Sequence, residues 1–241
     1  YLFAKRNGLT FEKTYIFSTL GYGTHGLLDS CTSYGTQLFW PFTDDRISWN
    51  TISIVDPMFT LPLLILIIFT AVKKNKIFSR IAFSWIILYF IFGFVQHERA
   101  KYFGKKIALS RGHIPIEILV KPSLANLFVW KIIYSTKENF HVDALKIGLK
   151  NKIYEGSKIN KLDISKSFPW LDLNSQQAKD LERFRWFSSG YLAISKNYPN
   201  RIIDIRYSIL PNKVNGLWGI ELDKEADQAS HIKYVFNRER N

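Results

Sequence analysis

Between Met58 and Val95 the chain is almost bare of charge, apart from one tight break at Lys73-Lys74-Asn75-Lys76 and a single Arg80. No other feature constrains the fold as strongly. Ile77–Val95 is an apolar run of 19 residues. At about 1.5 Å per residue it reaches roughly 28 Å as a helix, close to the hydrocarbon thickness of a bilayer. Met58–Val72 is shorter and spans only with Asp56 near the interface. Asp56-Pro57 reads as a helix start, because Asp accepts from the first free N–H groups and Pro at the first helical position loses no hydrogen bond. Two such runs around a Lys-rich turn predict a membrane hairpin, and a lysine-rich turn belongs on the cytoplasmic side.

The 241 residues divide at this hairpin. Residues 1–96 hold 8 Lys/Arg and 5 Asp/Glu, whereas residues 97–241 hold 25 and 15, so the second part carries most of the net charge of +13. The predicted fold class is α+β: an N-terminal transmembrane helical bundle over 1–96, then a mainly antiparallel β-rich soluble domain over 97–241. Helices are expected at 11–33, 57–72 and 77–112. The last part of the third, residues 97–112, reads as a basic amphipathic helix at the membrane surface. Beyond Pro115 the texture becomes strand-like at 116–120, 127–135, 140–149, 191–195, 202–209, 217–222 and 231–236, with a helix at 176–187 and a polar, loop-rich stretch at 150–174. The basic turn at Lys5-Arg6 and the turn at 73–76 agree on orientation. Both lie inside, so residues 34–56 and everything after Gln96 are expected outside the cytoplasm.

The first helix carries the candidate chemistry. His25 and Asp29 are four residues apart, hence on one face of a helix, in a polar stripe with Ser18, Tyr22 and Thr32. Imidazole nitrogen and carboxylate oxygen are both ligands for zinc or a similar divalent ion. The same spacing also serves packing, with Asp29 accepting the ring N–H of His25. Gly21, Gly23 and Gly26 beside the stripe suggest a tight helix contact. Asp56 could add a ligand or a general base as well as an N-cap, and His97 stands at the same outer boundary as His25. Asp44-Asp45 reads as a solvated turn, Asp204 and Arg206 as a structural ion pair, and His113, His141 and His231 as isolated surface or structural residues. The single cysteine, Cys31, excludes an intrachain disulfide. No phosphate loop, nucleophile elbow or paired-Cys zinc motif is present. No nucleic-acid-binding motif accompanies the positive charge, which therefore points to membrane lipids rather than nucleic acid as the partner. No feature names a protein partner.

His25, Asp29, Thr32, Tyr34-Gly35-Thr36, Pro41-Phe42 and Asp56-Pro57 together resemble a family of bacterial inner-membrane proteins, the YdjM-like family, described as membrane-bound metal-dependent hydrolases. Pro122–Trp130, Phe184–Ser188 and Asp204–Tyr207 extend the resemblance into the tail. The hydrolase label rests on likeness to zinc-dependent phospholipase C enzymes, which also use a His and an Asp one turn apart. The resemblance implies a multi-pass protein of the inner membrane, a divalent metal, first of all zinc, on His25 and Asp29, Asp56 as a catalytic group, and a lipid or lipid-linked ester or phosphoester as substrate. The family also carries an upstream His-Arg-Gly-x-Thr-His motif, and this sequence begins just after its place. A protein that starts earlier would hold the rest of the metal site there, and a chain that starts here lacks those ligands. The alternative is a non-enzymatic membrane protein whose helices anchor a β-rich domain that binds a partner or the cell envelope.

Overall fold

The structure, a computed structural model, describes residues 8–236, so the Lys5-Arg6 turn lies outside the described residues. Two compact units divide the chain. The first runs to His97 and adds Lys121–Leu127; the second comprises Glu98–Val120 and the residues from Phe128 onward.

The first unit begins with helix α1, Phe11–Ser30, whose N-cap Thr10 accepts from the Lys13 N–H at 3.3 Å, with Glu12 in the positively polarised first turn. The helix ends three residues earlier than its sequence pattern suggests. Its terminal carbonyls are taken by the segment that follows: Trp49 N–H donates to Ser30 at 2.7 Å, and Thr51 N–H to Cys31 at 2.9 Å. The connecting segment thereby satisfies groups that a helix end leaves open. Helix α2, Pro57–Lys73, starts as expected, with Asp56 accepting from the Met58 and Phe59 N–H groups. Its one internal proline, Pro62, sits in the second turn. Lys74 turns the chain in the left-handed region (φ 50°), and the Asn75 side chain accepts from the Ile77 N–H at 2.9 Å near the start of the next helix.

Helix α3 is a single run of 35 residues, Lys76–Ser110, about 52 Å long. It lies antiparallel beside α2. Phe69 meets Phe78 at the turn end, and Phe59 meets Tyr89 and Phe90 at the other. Trp85 donates to the Phe59 carbonyl at 3.3 Å. The connector crosses α3 at Gly93, where a Cβ would stand 2.4 Å from the Thr51 carbonyl oxygen, so only glycine fits. Much of the apolar surface of this hairpin is unburied: Leu61, Leu64, Ile87, Leu88, Ile91 and Phe94 are each about half exposed or more. Among the described residues one helix, α3, is long and apolar enough to cross a membrane; α2 is apolar but shorter. Only 17% of the apolar window in α3 is buried, unlike the core helix of a soluble domain.

In the second unit, strands β1 (Glu117–Pro122), β2 (Val129–Ser135), β3 (Asn139–Lys146) and β4 (Lys152–Asn160) form one sheet in that order. A second antiparallel sheet has β5 (Leu192–Ile194), β6 (Arg201–Asp204), β7 (Trp218–Glu221) and β8 (Lys233–Phe236) in order, with short α4 (Ile164–Ser167) and α5 (Gln176–Phe187) between the sheets in sequence. Strand alternation builds the layers. Ile133, Phe140 and Val142 meet Ala193, Ile203 and Ile205 between the sheets. Leu192, Ile202 and Ile220, on the opposite face, pack on Leu181 and Phe184 of α5. On the outer face of the first sheet, Gly104 of α3 lies within van der Waals reach of Ile118 and Ile132, and Ala100, Ile107 and Ala108 are buried. This part of α3 reads from sequence as a surface-lying amphipathic helix; its apolar seam lies on the sheet, with Lys101, Lys105 and Lys106 exposed.

Two expectations are corrected here. Residues 150–174 contain β4, an edge strand in which Ile159 is the one buried residue, so burial leaves no alternation to read. The strand expected at 202–209 stops at Asp204, because the Asp204 carboxylate accepts the Arg206 N–H at 3.0 Å and turns the chain.

Candidate functional site

His25 and Asp29 lie one turn apart on α1 as their spacing predicts, whereas Thr32, expected to extend the polar stripe, falls beyond the helix end at Ser30. His25 Nδ1 lies 3.5 Å from Asp29 Oδ2, with side chains 69% and 47% exposed. Two ligand atoms about 2.0–2.2 Å from a tetrahedral ion are separated by roughly 3.3–3.6 Å, a range that includes this distance. The pair supplies two donors, where a catalytic zinc takes three protein ligands. Among the described residues no three His, Cys, Asp or Glu side chains converge on a point. Thus neither Asp56 nor His97 completes such a group with the pair there.

Asp56 is buried, and both its oxygens are engaged. Oδ1 caps α2, and Oδ2 accepts the Tyr89 hydroxyl at 2.7 Å. The Tyr89 partner is 33 residues away and carries no local sequence signal. The segment after α1 is organised by Gly35, whose φ of +83° falls in the left-handed region that glycine tolerates. Arg46 donates to the Tyr34 and Gly35 carbonyls, and Thr36 pairs with Ile47 in an isolated antiparallel bridge. The Trp40-Pro41 peptide bond is cis. Arg46 is the one basic residue between His25 and Lys73, a signal that could have marked it in advance. Among the described residues the expected helix contact at the glycines is not found at Gly21 or Gly23, where a Cβ would meet nothing within 4 Å; Gly26 approaches Leu38 of the connector instead.

The motif residues thus form three separate local features of the first unit: the His–Asp pair on α1, the Tyr34-Gly35-Thr36 turn clasped by Arg46, and the Asp56-Pro57 helix start. Residues 1–100 match the YdjM inner membrane protein family. The YdjM match accordingly covers the His–Asp helix, the connector, α2 and most of α3. The tail stretches expected to extend the resemblance lie outside the match. No curated protein and no solved structure matches the chain.

Outside the YdjM region the structure joins groups that stand apart in sequence. His113 and His141, read from sequence as isolated, have rings 4.5 Å apart. His113 Nδ1 lies 2.9 Å from the Tyr134 hydroxyl, and Tyr134 stacks on His141 at 4.6 Å. Beside them Arg111 grips the buried Asp143 through both guanidinium nitrogens, at 2.6 and 2.9 Å, which holds the guanidinium above its ordinary pKa. Burial pushes the His141 imidazole down, and His113 and Arg111 add to this. Lys131 is buried and donates to Ser208 Oγ and the Lys213 carbonyl, both at 2.7 Å; burial lowers its pKa to about 7. His231 is within 2.8 Å of Asp180. Arg206 and Asp204 form the expected ion pair at 2.7 Å, buried, with Arg206 also donating to the carbonyl of Phe187, the last residue of α5.

Proposed function

We propose that the YdjM region is a membrane-embedded, metal-dependent hydrolase site, multi-pass in the inner membrane, acting on a lipid or lipid-linked ester or phosphoester. The observation that carries this reading is the convergence of His25 Nδ1 and Asp29 Oδ2, 3.5 Å apart, on a helix within the residues that match the YdjM inner membrane protein family. His25 and Asp29 would hold a divalent ion, zinc first, with further ligands from outside the described residues. Such an ion supplies a polarised ester oxygen and an acidic bound water. Asp56 was the sequence candidate for the general base. Its cap and its Tyr89 bond favour a positioning role at the start of α2, where it fixes the hairpin against the connector.

The test is the metal content of the native-length protein, purified in detergent, beside His25→Ala and Asp29→Ala. The reading expects metal in the parent and its loss in both variants, with folding unchanged. Metal retained in both variants would move the site elsewhere. A parent without metal favours the second reading, a non-enzymatic anchor for the β-rich domain. That alternative draws on the exposure of the pair and the absence of a third converging ligand among the described residues.

A further inference from the structure

The second unit contains an open cleft of about 900 Å³, walled by the β2–β3 turn, the end of β4, α4 and the end of β5. Its lining is strongly cationic. Lys137, Lys158, Lys161, Lys166, Arg185 and Lys196 face it, against the carboxylates of Glu138 and Asp163. Three of the cations are already engaged: Lys166 with Asp163 at 3.5 Å, Arg185 with Glu182 at 3.2 Å, and Lys161 over the Phe140 ring at 5.2 Å. Lys137, Lys158 and Lys196 have no carboxylate partner among the described residues and project at the exposed rim. A concave wall of one sign focuses its field on the space between and raises the local concentration of anions there.

Beneath this rim the surface is aliphatic. Ile159, Leu162, Ile164 and Ile194 form the floor. Ile164 also lines a second, apolar slot of about 430 Å³ with Leu171, Leu173, Ala178 and Leu181. The two hollows therefore adjoin, and the Arg185–Glu182 pair stands at their divide, Arg185 on the cleft and Glu182 on the slot. Both volumes fall in the range of small-molecule sites. No aromatic side chain lines either hollow, so bases have no stacking platform, and a nucleic acid would leave the slot unused.

We propose that this paired hollow binds an anionic phospholipid, with its phosphate on the Lys137–Lys158–Lys196 rim and an acyl chain in the slot bounded by Ile164 and Leu173. All of these residues lie outside the YdjM match, so the proposal stands or falls independently of the metal site.

The native-length protein in phosphatidylcholine nanodiscs is titrated calorimetrically with dihexanoyl phosphatidylglycerol below its micelle concentration, with empty nanodiscs subtracted. Dihexanoyl phosphatidylcholine and glycerol 3-phosphate are the comparison ligands. Saturable binding of the phosphatidylglycerol is expected, much weaker binding of both others, and a loss of affinity between about 0.1 and 1 M salt as screening shortens. The triple variant Lys137→Ala/Lys158→Ala/Lys196→Ala removes exposed side chains and should weaken binding about tenfold or more. Leu173→Glu, at a position 73% exposed, should weaken it too. Unchanged affinity in the triple variant overturns the proposal. So does equal binding of phosphatidylcholine. Glycerol 3-phosphate binding as tightly as the lipid, with Leu173→Glu silent, would show a simple phosphate site and overturn the lipid assignment.

Discussion

Arg111→Met should destabilise the β-rich unit more than the double variant Arg111→Met/Asp143→Asn does. Asp143 is 1% exposed, and its carboxylate accepts three hydrogen bonds: two from Arg111, at 2.6 and 2.9 Å, and one from the Gly156 N–H, at 3.0 Å. Removing Arg111 alone leaves a buried carboxylate with one neutral donor. Breaking a buried pair in this way costs about 3–5 kcal/mol. The Arg111 side chain is 32% exposed, so water can reach the vacated space, and about 3 kcal/mol is the figure expected here. At 2–4 °C per kcal/mol this is roughly a 6–12 °C drop in Tm. Asp143→Asn keeps an oxygen for the Gly156 N–H and leaves a cation that can rehydrate, so it should cost about half as much. In the double variant no buried charge remains, and stability should recover above that of Arg111→Met. The assay is thermal unfolding in detergent followed by tryptophan fluorescence, since Trp130 is fully buried in the adjacent strand. A double variant less stable than Arg111→Met would refute this account.

Gly93→Ala places a methyl 2.4 Å from the Thr51 carbonyl oxygen and should cost about 1–3 kcal/mol locally; the readout is faster maleimide labelling of the buried Cys31, whose carbonyl holds the connector through Thr51. Stability of the β-rich unit should rise with pH in two windows. His141 is lowered in the folded protein, so the unfolded chain protonates first and stability falls as pH drops through the ordinary value of 6.5. Lys131 titrates at about 7 when folded against 10.5 unfolded, so stability should climb between those values, and Lys131→Met should flatten that upper limb in denaturation measured against pH.

Elements whose signal is local were legible in the sequence. The Asp56-Pro57 start of α2, the Lys-rich turn and α5 at Gln176–Phe187 appear where capping and periodicity put them. The His25–Asp29 pair is legible for the same reason, since a four-residue step on a helix fixes a shared face. What was hidden depends on distant partners. β4 is stitched to β3 by backbone pairing, and its side chains are mostly solvated, so residue types do not alternate along it. Tyr89 finds Asp56 across a hairpin, and His113 finds His141 across two strands; neither spacing has a period that a one-dimensional pattern could register. The end of α1 was misread because its stop comes from Trp49 and Thr51, some twenty residues on, rather than from a cap in the helix itself.

Orientation in the membrane follows from charge that the structure leaves exposed. Lys73, Lys74 and Lys76 stand at the α2–α3 turn with no acidic neighbour in sequence between Asp56 and Glu98. At the other end of α2, the connector exposes Phe39, Trp40, Phe42 and Trp49, aromatic residues of the kind that settle at an interface. Moving three lysines across a bilayer is the more costly alternative, at about 2.5–3.5 kcal/mol per charge at the membrane centre on insertion scales. We therefore expect the turn inside and the β-rich unit outside. A phosphatase fused after Asn241 should be active and a cytoplasm-dependent fluorescent reporter dark. Replacing the three lysines by asparagine should produce a mixed population, because the dominant inward signal among the described residues is then gone. A bright fluorescent fusion on the unaltered protein would reverse the orientation and put the β-rich unit, with its lysine-rimmed cleft, on the cytoplasmic side.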